Sequence, residues 1–385
     1  MQIPEPISRL GTESAFGVGA RARALEAQGR SIIYLNIGEP DFPTAPHIIE
    51  AAHQAMLRGE THYGPPLGIP AARQAVAEYF SLRGVDADPA NVAIAPGAKP
   101  FLGFAAMALL SPGDEALIPD PGFPIYASMV SYIGATPVPY HLAPERDFTP
   151  DPAEIRSLVT PRTRLIFLNS PHNPTGGVIP QDSLEQIAAL ALERDLYVLS
   201  DEVYGRLTYG GAEHRSIAAL PGMVERTILL DGASKAYAMT GWRLGFVHLP
   251  APLVPVIERL LINTVSCTPT FSQHAIVAAL TGPQDCVDEM RDEFDRRRRY
   301  LVRTLRSIEG IEVNDPAGAF YLFPDVSAFG SSHDVADRLL TEAGVATLDG
   351  AGFGATGAGH IRLSYANSMQ NLEDAVQRMR SLLTG

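Results

Sequence analysis

Between about Asn91 and Leu249, apolar runs of strand length alternate with stretches whose apolar residues recur at helical spacing. Such alternation predicts a mostly parallel sheet, because parallel neighbours must be joined by a crossover long enough to hold a helix. Val92–Ala95, Glu115–Ile118, Thr136–Tyr140, Leu165–Leu168, Tyr197–Leu199, Thr227–Leu230 and Gly245–His248 read as its strands. Lys99–Leu110, Phe123–Ile133 and Ser183–Arg194 read as helices. The last follows Pro180-Gln181-Asp182, an acceptable start, and carries Leu184, Ile187, Ala188 and Ala191 on one face. From Pro283 the pattern changes to a long charged helix, Val287–Ser307, followed by short strands around Ile311–Val313 and Phe320–Phe323. The chain is therefore expected to be α/β, with a second, smaller domain after the large sheet.

A length of 385 residues agrees with two domains, since one hydrophobic core seldom grows that large. The net charge of -13 and pI near 5.2 argue against a nucleic-acid or anionic-membrane surface, which needs a basic face. A small-molecule partner is expected instead. Arg296–Arg299 is the one basic run. It sits in a helix with Asp288, Glu289, Asp292, Glu293 and Asp295, and so reads as a solvated, salt-bridged face. Cys267 and Cys286 are too few for a disulfide framework and lack metal-ligand spacing, so both read as buried thiols in a reducing cytoplasm. Met1-Gln2-Ile3-Pro4-Glu5 has neither a basic nor an apolar leader character, and the longest apolar run, Phe101–Leu110, is too short to span a bilayer.

Two glycine patterns, Gly17-Val18-Gly19-Ala20-Arg21-Ala22 and Gly352-Phe353-Gly354-Ala355-Thr356-Gly357, satisfy dinucleotide-binding spacing. Neither has the required context: the first leads into a helix but follows no strand, and the second precedes the strand-like Ile361–Ser364 where a helix is needed.

The stretch from Gly232 to Gly245 isolates Lys235 among small residues and places Arg243 eight positions later. A lysine amine is a poor nucleophile while protonated, so an enzyme that uses one depresses its pKa by desolvation or by a neighbouring cation, and a dianionic phosphate suits an arginine fork. Arg243 serves both needs. Upstream stand Asn173-Pro174-Thr175-Gly176 and Asp201-Glu202-Val203-Tyr204, and downstream His360-Ile361-Arg362-Leu363-Ser364-Tyr365. With Gly38-Glu39-Pro40-Asp41-Phe42 and Gly97-Ala98-Lys99, these motifs stand in the order of the class I aminotransferases. Those are pyridoxal 5'-phosphate (PLP) enzymes of the aspartate aminotransferase fold, fold type I, and the chain resembles them over nearly its whole length.

The resemblance implies a large cofactor-binding domain at 46–282, built on a seven-stranded mostly parallel sheet flanked by helices. It also implies a smaller α+β domain formed by an N-terminal segment, 1–45, together with 283–385. Lys235 would be the Schiff-base lysine. Asp201 follows the predicted strand Leu196–Ser200 at its carboxyl end, where ligands bind in open α/β sheets, and would face the ring nitrogen. Tyr204 and Asn173 would share the phenolic oxygen. Gly97, Ala98 and Lys99 form a turn directly after a strand, suited to a phosphate on backbone N–H groups, with Arg243 adding charge. Where many relatives have a hydroxyl three residues before the lysine this chain has Gly232, which leaves Ser234 as the nearby hydroxyl. Phe123 matches a stacking aromatic. Tyr63 matches a tyrosine that reaches the phosphate from a neighbouring subunit, which implies a homodimer. Arg362, with Gly38 and Asn173, would grip the substrate α-carboxylate, and Lys99 matches a lysine that contacts the distal carboxylate of acidic substrates.

The reaction implied moves an amino group between an amino acid, aspartate or glutamate among the candidates, and a 2-oxo acid. Lys235 is then the general acid and base. A PLP-dependent lyase or carbon–carbon bond-forming synthase is the alternative on the same fold. A DNA-binding regulator built on such a domain would need an added helix-turn-helix, for which the acidic chain shows no segment.

Overall fold

All seven predicted strands of the large sheet are present, each ending within two residues of its expected bounds. The computed structural model describes residues 4–385. In chain order its strands are β1 (Ile33–Tyr34), β2 (Val92–Pro96), β3 (Glu115–Asp120), β4 (Thr136–His141), β5 (Thr163–Asn169) and β6 (Tyr197–Asp201). They continue with β7 (Thr227–Gly232), β8 (Leu244–His248), β9 (Tyr321–Leu322), β10 (Val345–Ala346), β11 (Leu348–Asp349) and β12 (Ile361–Ser364).

The large sheet has the order β2-β8-β7-β6-β5-β3-β4, and β8 alone runs antiparallel to its neighbours. Strands β3, β7 and β8 are buried along their whole length, which is why they read as continuous apolar runs. Edge strand β4 differs. It is largely open to solvent and carries Pro137 and Pro139, which block further pairing where no partner strand is wanted.

The three predicted crossover helices appear as Lys99–Leu109, Ile125–Ile133 and Gln181–Glu193. Other helices went unread in the sequence. Among them Pro46–Leu57 and Pro70–Ser81 each open on a proline at the first turn, and both pack against Thr270–Thr281.

The long charged helix spans Asp285–Arg306, and Val287, Met290, Phe294, Leu301, Val302 and Leu305 form its buried stripe. The arginine run is not wholly solvated as expected. Successive helical residues point about 100° apart, so four in a row cannot share one face. Arg296 and Arg299 stay exposed, whereas Arg297 and Arg298 are buried and paired with Asp41 and Glu293 and with Asp295 and Asp315.

Phe320–Phe323 contains β9, but Ile311–Val313 makes no strand. Only one bridge forms there, Glu312 to Asp325, because the Ile311 amide turns back to Ile308 and the Val313 carbonyl is taken by the Arg306 guanidinium. The first glycine pattern does not lead into a helix but lies inside one, Ser14–Glu26, whose first turn forms before the glycines. Cys267 and Cys286 are half-buried rather than buried. Ile33 and Leu35 share a hydrophobic core with Phe294, Leu301, Tyr321, Leu363 and Met379. The early chain thus packs on the late chain, with β1 paired to β10. Among the described residues no helix is long and apolar enough to cross a membrane.

Candidate active site

Asn169 and Asp201 are register partners at the carboxyl ends of β5 and β6, and the chain beyond each turns into one cleft of about 540 Å³. Of the residues the sequence nominates, Gly38, Ala98, Lys99, Phe123, Asn173, Asp201, Tyr204, Ser234, Lys235, Arg243 and Arg362 all line it. Gly97 sits directly behind Ala98. Tyr63 does not line the cleft; it is 91% exposed on the surface. A second groove beside the Asp285–Arg306 helix, bounded by Arg296, Arg299 and Tyr300, contains none of the nominated residues.

Lys235 lies in the short helix Ala233–Ala236 that follows β7, and its Nζ donates to the Gly38 carbonyl over 2.7 Å. Part of its surface faces the cleft. Burial lowers its pKa to about 8, and Arg362 and, more weakly, Arg243 act in the same direction.

Asp201 is held from two sides. The Tyr126 hydroxyl donates to its Oδ2 over 2.7 Å, and Asn169 Nδ2 donates to its carbonyl over 2.9 Å. Burial raises the Asp201 pKa to about 6, against the Tyr126 and Val203 hydrogen bonds, which favour the anion. Its neighbour Glu202 turns away from the cleft and accepts from Arg83, Ser200 and Ser216.

The same Asn169 positions Asn173, whose amide donates to Asn169 Oδ1 over 2.9 Å. Asn173 Oδ1 in turn accepts from Arg362 Nη1 at 2.9 Å, and Arg362 Nη2 donates to the Asn36 carbonyl at 2.7 Å. Among the described residues Arg362 Nε is buried without a partner. The guanidinium lies 4.4 Å from the Tyr321 ring centre and 5.0 Å from that of Phe353. Tyr204 and Tyr321 share a hydrogen bond of 2.8 Å between their hydroxyls.

The turn after β2 depends on bare backbone. Gly97 has φ +92°, and a β-carbon there would fall 2.3 Å from Arg243 Nη2. One on Gly245 would fall 2.2 Å from the Ala98 nitrogen, so both glycines let the Gly97-Ala98 turn close against β8 and Arg243. Gly232 is extended, and a β-carbon on it would stand only 3.1 Å from the Leu244 carbonyl oxygen. Lys99 points elsewhere: its ammonium pairs with Glu13 and lies 5.4 Å from the Phe123 ring centre.

The model of the family described as aminotransferase class I and II matches residues 30–379. The chain belongs to this family. The family implies a PLP cofactor, and this chain is an aminotransferase. It is 41% identical to an aspartate aminotransferase of Pyrococcus abyssi over 92% of each chain. It is 42% identical to an aromatic-amino-acid aminotransferase of Thermococcus litoralis over 93% of each chain. Among solved structures, it is similar to the aspartate aminotransferase of Thermus thermophilus with maleate, at 37% identity, a TM-score of 0.95 and full coverage of both chains. The aromatic aminotransferase of Pyrococcus horikoshii superposes with a TM-score of 0.90 at 40% identity, covering 94% of this chain and 98% of that one.

The cleft fits the family's cofactor on its own chemistry. Among the described residues neither Asp201 nor Arg243 has a partner of opposite charge: Asp201 meets only neutral donors and Arg243 Nη1 only the Thr240 carbonyl. A buried carboxylate without a cation and an arginine without an anion suit a ligand with a protonated ring nitrogen and a phosphate.

The sequence nominated these residues without Tyr126, Tyr321, Asn169, Asn36 and Glu13. Tyr126 carried a readable signal, since the reading of Phe123–Ile133 as a helix puts it one turn after Phe123. Asn169 carried one too, since it directly follows a predicted strand and stands four residues before Asn173, whereas Tyr321, Asn36 and Glu13 had none, because their partners are remote in sequence.

Proposed function

We propose that the cleft binds pyridoxal 5'-phosphate and that Lys235 is both its covalent anchor and the proton carrier of the transamination. The observation that carries this reading is Lys235 itself, a buried amine with its pKa lowered to about 8, in one cleft with the unpaired Asp201. When bound, the cofactor supplies an electron sink for the pair left at the substrate Cα.

The remaining work falls to the chain. Arg243, Ser234 and the Gly97-Ala98-Lys99 turn would hold the phosphate, and Asp201 would hold the ring nitrogen in its protonated form. Tyr204 and Asn173 would donate to the ring hydroxyl oxygen, and Phe123 would cover one ring face. Arg362, backed by Asn173 and the Gly38 segment, would take the α-carboxylate in its planar fork. Once the substrate amine has taken its place, Lys235 Nζ would take the Cα proton and deliver it to the cofactor carbon that the amine nitrogen joins, since a proton returned to Cα would only regenerate the amino acid. A pKa near 8 leaves a useful fraction of free base near neutrality while keeping the conjugate acid available.

A dicarboxylic donor such as aspartate or glutamate, with a 2-oxo acid acceptor, is the substrate class proposed. Lys99 supports it, because its ammonium stands in the cleft with Glu13 as its sole ion-pair partner among the described residues, a carboxylate that a substrate carboxylate can replace. Aromatic donors are the competing class, and a relative named for them is as similar as those named for aspartate. We also propose a division into a large unit, 46–282, and a small unit of 1–45 with 283–385, supported by the core that Ile33 and Leu35 share with the late chain. The same reading makes the active form a homodimer in the cytoplasm, with Tyr63 completing the partner's site. Its high exposure supports that role.

The test is a panel of amino donors offered with 2-oxoglutarate or pyruvate to the purified enzyme. Rapid turnover of aspartate or glutamate is expected. Selective turnover of aromatic donors would reject the acidic class, and no new amino acid from any pair would reject the reading as a whole.

A further inference from the structure

The glycine pattern from Gly352 to Gly357 has no part in the cofactor reading, yet the backbone from Gly350 to Gly357 that contains it is closely constrained. Gly350 and Gly357 face each other so tightly that a β-carbon on either would fall 2.3 Å or 2.1 Å from the other's carbonyl oxygen. Gly354, at φ +135°, leaves the space in which Asp120 Oδ1 stands, and a β-carbon there would lie 2.1 Å from that oxygen. Asp120 ends β3 and is buried. Its Oδ2 accepts from the Ala355 amide at 3.2 Å, and its Oδ1 accepts from the Thr356 amide at 3.1 Å and the Thr356 hydroxyl at 2.7 Å. Beside it, the Gly122 amide donates to the Phe353 carbonyl over 2.7 Å. Four hydrogen bonds thus tie the end of β3, which leads into Phe123, to the loop that carries Phe353.

We propose that Asp120 and Thr356 are positioning residues for the substrate carboxylate: they clamp the glycine-rich loop so that Phe353 and Tyr321 hold the Arg362 guanidinium between their rings. The proposal rests on Arg362 being the carboxylate grip. A bidentate grip needs the guanidinium in one plane, and two hydrogen bonds, to Asn36 and Asn173, with two flanking rings define that plane. The loop itself consists of two short 3-10 turns, Gly350–Phe353 and Ala355–Gly357; Phe353 packs edge-on against Phe323 in the core, and the Asp120 carboxylate fixes the turn that follows it and so holds the ring in that place. Amino and oxo substrates carry the same carboxylate. The clamp therefore acts on both alike and leaves side-chain preference untouched.

The experiment compares Thr356→Val, Asp120→Asn, Thr356→Ser and Arg362→Lys holoenzymes. Each is read by the dissociation constant of succinate, an unreactive dicarboxylate, and by KM and kcat for one amino donor and one oxo acceptor. Thr356 is exposed, so its substitution leaves the core intact. Thr356→Val and Asp120→Asn are expected to raise the succinate constant and both KM values in parallel, by roughly five- to tenfold, with a much smaller fall in kcat. Thr356→Ser should restore them. Unchanged constants in a Thr356→Val enzyme that retains its cofactor absorption, or a fall in kcat alone, would overturn the proposal. Arg362→Lys separates the two readings. If it too leaves succinate binding unchanged, the assignment of the grip fails; if only Arg362→Lys weakens binding, the clamp fails alone.

Discussion

Tyr126 donates its hydroxyl to Asp201 Oδ2 across 2.7 Å, joining the helix after β3 to the end of β6. That bond favours the Asp201 anion against the burial that disfavours it. Tyr126→Phe should therefore raise the Asp201 pKa, lower kcat by about tenfold and shift the acid limb of the pH–rate profile upward. A profile identical to that of the unaltered enzyme would remove Tyr126 from the site's electrostatics.

Asp201 also sets a stability cost. Its pKa stands at about 6 in the folded protein, against an ordinary 3.8, so the folded state holds the proton more tightly over that interval. The cost of the buried anion is absent below about pH 4 and complete above about pH 6, where it is on the order of 3 kcal/mol. Asp201→Asn should stabilise the cofactor-free protein above pH 6 by part of this amount and give nothing below pH 4, while removing most turnover. Denaturant unfolding across that range measures it, and a pH-independent gain would refute the assigned cause.

Lys235 behaves in the opposite sense. Its pKa is lowered from 10.5 to about 8, so the folded state disfavours the cation, and the cost is complete below pH 8 and gone above about 10.5. Lys235→Met should stabilise the cofactor-free protein at neutral pH, lose that advantage as pH rises through this window, and abolish the visible absorption of covalently held cofactor. A coloured, covalently loaded variant would reject Lys235 as the anchor.

Gly97→Ala tests the phosphate turn. The substitution meets both a left-handed φ and the Arg243 guanidinium at 2.3 Å, so it should weaken cofactor retention by tenfold or more, measured by dialysis and reloading. Moving Arg243 aside relieves the clash but not the backbone strain, so unfolding of the cofactor-free protein should show a loss as well, on the order of 1–2 kcal/mol.

Arg362→Lys keeps the charge and loses the fork. The variant should raise KM for donor and acceptor together, with kcat/KM falling on the order of 10- to 100-fold, while Asp201 and Lys235 still hold the cofactor. A change confined to one substrate would place Arg362 on the side chain rather than on the shared carboxylate.

The sequence by itself determined the large sheet and most of the lining of the cleft. Strands buried on both faces must be mostly apolar whatever their direction, so β3, β7 and β8 stand out in the chain. Catalytic residue types on short motifs, such as Lys235 with Arg243 and Asp201 with Tyr204, remain local whatever surrounds them. Local patterning failed where partners are remote. It could not show that Val313 spends its carbonyl on Arg306 instead of a neighbouring strand, that Arg297 and Arg298 turn inward, or that Lys99 meets Glu13. Tyr126 on Asp201, Asn169 between Asn173 and Asp201, and Asp120 under the glycine-rich loop are likewise decided only when chain segments meet. Hydrogen bonds and burial depend on distance in space, which the order of residues along the chain does not encode.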